Sequence, residues 1–296
     1  MLASSMLQLR TRPLMSLMLA LTATSCSSSG LRGASFVLLD TRSGERLEFT
    51  DFIDRVEDAD VLFLGEQHDN VTCHELQHWT TLALAERRTV ALSLEQFESD
   101  VQASLDSYLA DDITEAAFLE ESRPWSNYAE HYRPTVEWAR TEGVAVIAAN
   151  IPRPLARRVA RGYWEELDVI GDENSPWQLN TDEPAYRVRF EEAMGNHGGT
   201  ESADLDDWFA AQCVKDDRMA EAIALHLTRA GSDAPLVVHW CGRFHSDYRL
   251  GTVSRLAERL PELNILTVSM ETTDDLSSDP SADTSSSADF VWWIRD

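Results

Sequence analysis

Basic residues are scarce in this 296-residue chain: 25 Lys+Arg stand against 51 Asp+Glu, a formal net charge of −26. Such a chain cannot neutralise a run of phosphates, which excludes a general nucleic-acid binder. The whole-chain charge also argues against electrostatic docking on anionic lipid. Cysteine is equally sparse. Cys26, Cys73, Cys213 and Cys241 are the four, and no two form a CxxC pair, so a cysteine-based zinc or iron–sulfur site is excluded. With Cys26 otherwise engaged, three remain, a poor disulfide framework. The chain has no GxSxG, no Walker A and no GxGxxG, which removes the usual signals for a serine hydrolase and for nucleotide binding. Beyond the N-terminus no run is long and apolar enough to span a membrane. No internal repeat of solenoid period occurs.

What is present is core-forming material: 43% hydrophobic residues, 8% aromatic, and nine Trp. That is enough to fold. At the N-terminus Arg10 and Arg12 precede a short apolar run, Leu14 to Leu21. Ala23-Thr24-Ser25-Cys26 and a Ser/Gly stretch follow. This reads as a lipoprotein signal over 1–25, lipidation of Cys26 and a tether over 27–35, with plain signal cleavage or an uncleaved anchor as alternatives.

Five apolar runs, at 61–64, 90–94, 144–149, 236–241 and 264–268, are nearly continuous in hydrophobicity. They read as strands buried on both faces. Helical patterns over 72–88, 100–121, 134–142, 205–230 and 252–260 alternate with them, and Pro134 suits a first helical turn. The fold class is therefore α/β, a mostly parallel sheet flanked by helices, in one domain over 36–296. Residues 168–184 read as an acidic surface insertion and 272–289 as a Ser-rich acidic disordered one. The terminal Phe290-Val291-Trp292-Trp293-Ile294 reads as a last strand at the sheet edge.

Four strands run into polar clusters: Gly65-Glu66-Gln67-His68-Asp69, Glu95-Gln96-Phe97-Glu98, Asn150-Ile151-Pro152-Arg153 and Gly242-Arg243-Phe244-His245. In an open parallel sheet, ligands bind outside the carboxyl ends of the strands, so these segments are expected to meet at one crevice. Glu66, His68, Glu95 and His245 would bring two carboxylates and two imidazoles there. That donor mix suits a divalent ion such as Fe, Mn, Zn or Co, which activates water or polarises a carbonyl. A carboxylate outside the metal shell would serve as general base. His74 and His78 lie four apart on one helix but lack the HExxH pattern. His197 sits in a Gly-rich loop that would close over a ligand.

VLFLGEQHDN, LSLEQF, WSNYAEHYRPTVEWAR, VIAANIPR, AQCVKDDRMAEAIA, VVHWCGRFHSDYRLG and ADFVWW, in this order over 36–296, resemble the ChaN-like haem-binding uptake family of the Tiki/TraB/erythromycin-esterase superfamily. The resemblance implies an exported lipoprotein of a Gram-negative bacterium, lipid-anchored in the outer membrane or periplasm, or else secreted or soluble in the periplasm. It implies haem bound at a homodimer interface and a role in haem or iron uptake. It further implies that Glu66, His68, Glu95 and His245 correspond to a superfamily site of two GxxH motifs and a Glu. In the Tiki branch that site performs metal-dependent proteolysis, so a metal-dependent hydrolase is the alternative, and a non-catalytic scaffold a third. The ChaN type is associated with tyrosine ligation of haem, which points to Tyr248, with Tyr128 and Tyr132 as alternatives. His245 is a further candidate at the haem. Arg153 is the first candidate for the propionates, with Arg133, Arg157 and Arg158 as others.

Overall fold

The chain folds as β1 (Phe36–Asp40), β2 (Glu45–Leu47), α1 (Phe49–Val56), β3 (Val61–Glu66), α2 (Val71–Ala85), β4 (Val90–Glu98), α3 (Gln102–Leu109), α4 (Glu115–Ser122), α5 (Tyr128–His131), α6 (Arg133–Glu142), β5 (Ala145–Asn150), α7 (Arg153–Val159), α8 (Pro184–Gly195), α9 (Ser202–Ala230), β6 (Leu236–Gly242), α10 (Thr252–Arg259), β7 (Ile265–Thr272), α11 (Thr284–Ser287) and β8 (Phe290–Ile294). This is the computed structural model of the chain. It describes residues 36–164, 180–195, 202–277 and 284–295, all within the unit Ser35–Asp296. Cys26, the signal and tether, His197 and most of the 168–184 insertion lie outside the described residues.

One eight-stranded sheet has the order β2-β1-β8-β7-β3-β6-β4-β5. Every pairing from β8 to β5 is parallel, and β1 runs antiparallel to both β2 and β8. The apolar runs read from the sequence are five neighbouring parallel strands, β7, β3, β6, β4 and β5, of which β5 lies at the sheet edge. Burial on both faces explains their unbroken hydrophobicity: β3, β4 and β6 are buried at every position. On one face α9 and α10 pack Ile223, Leu227, Val253 and Leu256 against Val61, Phe63 and Val237. On the other, α2 reaches the sheet through Gln77, which donates to the Leu64 carbonyl (3.0 Å), and through Thr81, which accepts from Trp240 Nε1 (3.1 Å). Each fully buried aliphatic side chain contributes about 1.5–3 kcal/mol.

Helix boundaries follow local chemistry. Asn70 caps α2 by accepting from the Cys73 N–H, and Thr114 caps α4. Pro134 sits in the first turn of α6, which Gly143 closes at φ 72°. The pattern over 100–121 divides into a 3-10 turn, α3 and α4 around the positive-φ residue Asp111.

Two expectations are corrected. β8 is interior, because the β1–β2 hairpin pairs along its outer side; β2 and β5 are the edges. The stretch 272–289 is not disordered throughout. Residues 284–287 form α11, Ser287 and Ala288 are buried, and the Asp289 carboxylate accepts from the Thr267 backbone N–H and hydroxyl.

Glycine fixes two close approaches where strands enter the site. A Cβ on Gly65 would lie 2.7 Å from Ser246 Oγ and 2.9 Å from the Arg243 Cα. A Cβ on Gly242 would lie 2.8 Å from the His68 ring. The backbone at Arg243 cannot yield cheaply, so Gly65→Ala is expected to cost about 1–3 kcal/mol in denaturant unfolding. Gly195→Ala, which opens into empty space, leaves the midpoint unchanged or raises it. An unaltered midpoint in Gly65→Ala would show that the two turns do not pack as described.

Candidate functional site

The carboxyl ends of β3, β4 and β6 bring Glu66, His68, Glu95 and His245 around Gly242. Two of the four are aimed by backbone irregularity. β4 pairs with β5 in register up to Leu94↔Ala148, then slips so that Glu98 lies opposite Asn150. The bulge takes Glu95 and Gln96 out of the ladder and turns them into the site. A 3-10 turn over Arg243–His245 then places the second imidazole directly after β6.

The residues form two pairs. Glu66, 1% exposed, accepts at Oε1 from Tyr132 Oη (2.6 Å) and Gln96 Nε2 (3.3 Å), and lies 2.8 Å from His68 Nδ1. Its Oε2 is 3.4 Å from His74 Nδ1, without hydrogen-bond geometry. Burial alone would lower the pKa of His68, but Glu66 and Glu95 outweigh it and hold the pKa above the ordinary value. The other pair is buried. His245 Nδ1 is 2.6 Å from Asp216 Oδ1 and its Nε2 is 3.4 Å from Glu95 Oε1. Glu95 Oε2 accepts the Gly242 N–H at 2.7 Å. Burial disfavours charge on Glu95, yet the two imidazoles and this N–H keep it ionised far below the usual carboxylate range. Burial likewise disfavours the imidazolium of His245, but Glu95 and Asp216 raise its pKa to about 10.

Asp216 was not among the residues read from the sequence. It accepts from Tyr186 Oη and Thr252 Oγ1, both at 2.8 Å, besides facing His245. A signal was available: Asp216 falls on the apolar stripe of α9, three residues from buried Cys213 and three from buried Met219, where a carboxylate must have a partner. Gln212, whose Nε2 lies 3.2 and 3.3 Å from the two His245 nitrogens, was also missed.

Among the described residues no three His, Cys, Asp or Glu side chains converge as a ligand set. Most of the polar atoms of Glu66, His68, Glu95 and His245 face one another or Tyr132, Gln96, Gly242 and Asp216, while the buried Glu66 Oε2 has no hydrogen-bond partner. His74 is likewise turned away, stacked on His131 with ring centroids 4.3 Å apart.

Two hollows flank this centre. A crevice of about 420 Å³ is lined by His68, Glu95, Trp125, Asn127, Arg153 and Lys215. The His68 side chain is 42% exposed there and meets Trp125 edge-on at 4.8 Å. Arg153 is ion-paired to Glu98 at 2.8 Å. The second hollow, about 340 Å³, is lined by Tyr186, Arg189, Arg243, Phe244, Tyr248 and Leu250. Tyr248 and Arg249 are consecutive non-glycine residues in the left-handed region, at φ 59° and 58°. The Arg249 guanidinium holds this turn through the Ile265 carbonyl and Asp289. The Arg189 guanidinium lies 3.1 Å from the centroid of the Tyr248 ring. Tyr128 and Tyr132 are buried, Tyr132 against Glu66. His245 is 5% exposed, with both nitrogens facing carboxylates. Arg153 and Tyr248 line different hollows. Arg133 is ion-paired to Glu115.

The mostly parallel α/β sheet with its polar centre at the strand ends defines an open-sheet ligand-binding class. Residues 52–256 match the family of haem-binding uptake proteins, Tiki superfamily, ChaN, and the chain belongs to that family. Among solved structures it is similar to ChaN of Campylobacter jejuni, a protein that binds haem cofacially. That match has 19% identity and a TM-score of 0.68, covering 88% of this chain and 97% of the other. Fainter likenesses include a Bacillus cereus protein (10% identity, TM-score 0.47, 83% and 90% covered) and the erythromycin esterase EreC in an open conformation (15%, 0.47, 88% and 83%). No curated protein matches the sequence.

An ordinary histidine titrates near 6.5. The raised His245 pKa therefore contributes stability fully below pH 6.5, and that contribution is lost as pH rises through about 10. Ring NMR is expected to show His245 charged at pH 8, with its titration moved down by at least about one unit in Asp216→Asn. A neutral ring at pH 8 would refute the paired arrangement.

Proposed function

We propose that this chain binds haem as cargo at the Tyr248 hollow, in haem or iron uptake. The observation that carries the reading is the strained turn. Two adjacent non-glycine residues held at positive φ cost about 1–3 kcal/mol each, and such strain concentrates at ligand sites. Tyr248 lines a hollow whose chemistry supports the reading. A phenol is a known haem donor, Phe244 and Leu250 supply apolar wall, and Arg189 and Arg243 supply positive charge for propionates. Arg243 also pairs with Asp247 and Glu271. The hollow is shallow for a whole porphyrin, so a second copy would cover the ligand's outer face. That supports a homodimer and agrees with cofacial binding in the Campylobacter protein. The hydrolase alternative would need a metal set, and among the described residues no three His, Cys, Asp or Glu side chains converge as one.

The N-terminal sequence supports the rest of the reading: a lipid on Cys26 anchors the domain in the envelope of a Gram-negative bacterium. Cys26→Ser is expected to abolish incorporation of labelled palmitate in cells, while the rest of the chain folds as before. Labelling that persists would remove the anchor.

For haem, the check is absorbance titration of the chain from Ser27. Tyr248→Phe is expected to weaken binding at least tenfold, about 1.4 kcal/mol, and to change the Soret band. Arg153→Ala stays within twofold. Equal affinity in Tyr248→Phe would overturn this placement, and no Soret change in the parent would overturn haem binding itself.

A further inference from the structure

The Ser-rich stretch that the sequence marks as an insertion ends against the turn that presents Tyr248. α11 packs on the 3-10 turn Asp247–Arg249. Two side chains of this short segment reach toward the hollow. Asp289 Oδ2 accepts from Arg249 Nη1 at 2.8 Å, and the same guanidinium donates twice to the Ile265 carbonyl at 3.1 Å. Ser287 Oγ donates to Glu271 Oε1 at 3.3 Å. Glu271 in turn pairs at 2.8 Å with Arg243, which lines the hollow.

Asp289 is itself held from several sides. Its Oδ2 also accepts the Thr267 N–H at 2.9 Å and the Thr267 hydroxyl at 3.0 Å. Its own N–H donates to that hydroxyl oxygen at 3.1 Å. Its carbonyl accepts the Thr41 N–H at 3.1 Å and the Thr41 hydroxyl at 2.9 Å. The carboxylate is thus fixed between the end of β1, β7 and the start of β8. A partly exposed ion pair is weak when both side chains must be ordered to form it. Here one partner is already ordered by the sheet, so only the arginine loses freedom.

The backbone of the turn explains why such a hold is needed. Tyr248 and Arg249 both lie at positive φ without being glycine, a conformation that persists only where surrounding contacts over-determine it. The Arg249 guanidinium is the grip of the sheet on this turn. Releasing it lets both residues return to the ordinary φ region and swings the Tyr248 phenol off the hollow. We infer that Asp289 is a positioning residue for Tyr248, holding the phenol at the hollow through Arg249 although Asp289 does not line the hollow itself. The consequence for iron ligation rests on the haem reading above; the coupling of the two side chains does not.

The test uses the chain from Ser27, which contains the whole unit Ser35–Asp296. Asp289→Asn keeps an oxygen for Thr267 but removes the charge that faces Arg249. In absorbance titration it is expected to weaken haem binding at least about fivefold, with the Soret band moved in the same direction as in Tyr248→Phe. Added to Tyr248→Phe, the same change should cost less than about twofold, because the group it positions is gone. Asp274→Asn, which alters an exposed acid of the same stretch, should stay within about twofold of the parent. Full additive losses in the Tyr248→Phe background would show that Asp289 only staples the sheet, and would overturn the inference. The haem-free chain supplies an arm independent of the ligand. Ring NMR signals of Tyr248, assigned by their loss in Tyr248→Phe, are expected to shift in Asp289→Asn and in Arg249→Gln but not in Asp274→Asn. Unmoved ring signals would overturn the coupling even where haem binds. Moved ring signals without any Soret change in the parent would support the coupling and refute the haem reading alone.

Discussion

The imidazole of His245, held between Asp216 and Glu95, is the interaction on which the arrangement of this molecule turns. It ties α9 to β4 and to the turn after β6. Through the other bonds of Asp216 it also fixes α8 by Tyr186 and α10 by Thr252. Five elements thus meet at one buried ionised group. Such a group adds little net stability, because desolvating the charges offsets much of their attraction. Its effect is on specificity: any packing that separates one partner leaves a buried charge uncompensated. The helices over the strand ends therefore have one low-energy placement.

Backbone detail gives the centre its shape. The slip in β4 after Leu94 turns Glu95 inward, where a regular ladder would have continued the pleat. Gly65 and Gly242 let the two GxxH turns approach within distances that any side chain would block. The paired carboxylates and imidazoles are a consequence of these approaches. They face one another, with the Glu66 Oε2 left without a hydrogen-bond partner and His68 open to the crevice.

α8 stands between this network and the ligand surface. Tyr186 and Arg189 are three residues apart on it and so share a face. One reaches Asp216 and the other covers Tyr248. The buried charges therefore position the wall of the hollow, although none of them lines it. The crevice at His68 lies on the other side of the same centre, next to α7, whose Arg153 lines it.

Much of the fold was legible in the sequence. Unbroken apolar runs at 61–64, 90–94 and 236–241 can only be strands covered on both faces, and the helical stripes between them require parallel connections. The glycine-led motifs after those runs located the centre, because parallel topology places strand ends together. The edge assignments were not legible: β8 is as apolar as an edge strand capped by aromatics would be, and only the hairpin at 36–47 makes it interior. Nor was the state of the site. Composition said that Glu66, His68, Glu95 and His245 could share an ion; distances decided that they pair with each other and with Asp216. The sequence by itself determined which segments are buried and which polar groups sit at their ends, since that is a matter of local hydrophobicity. Only the tertiary structure decided which groups touch, because a contact between Asp216 and His245 depends on how α9 crosses the sheet, and no local pattern carries that angle.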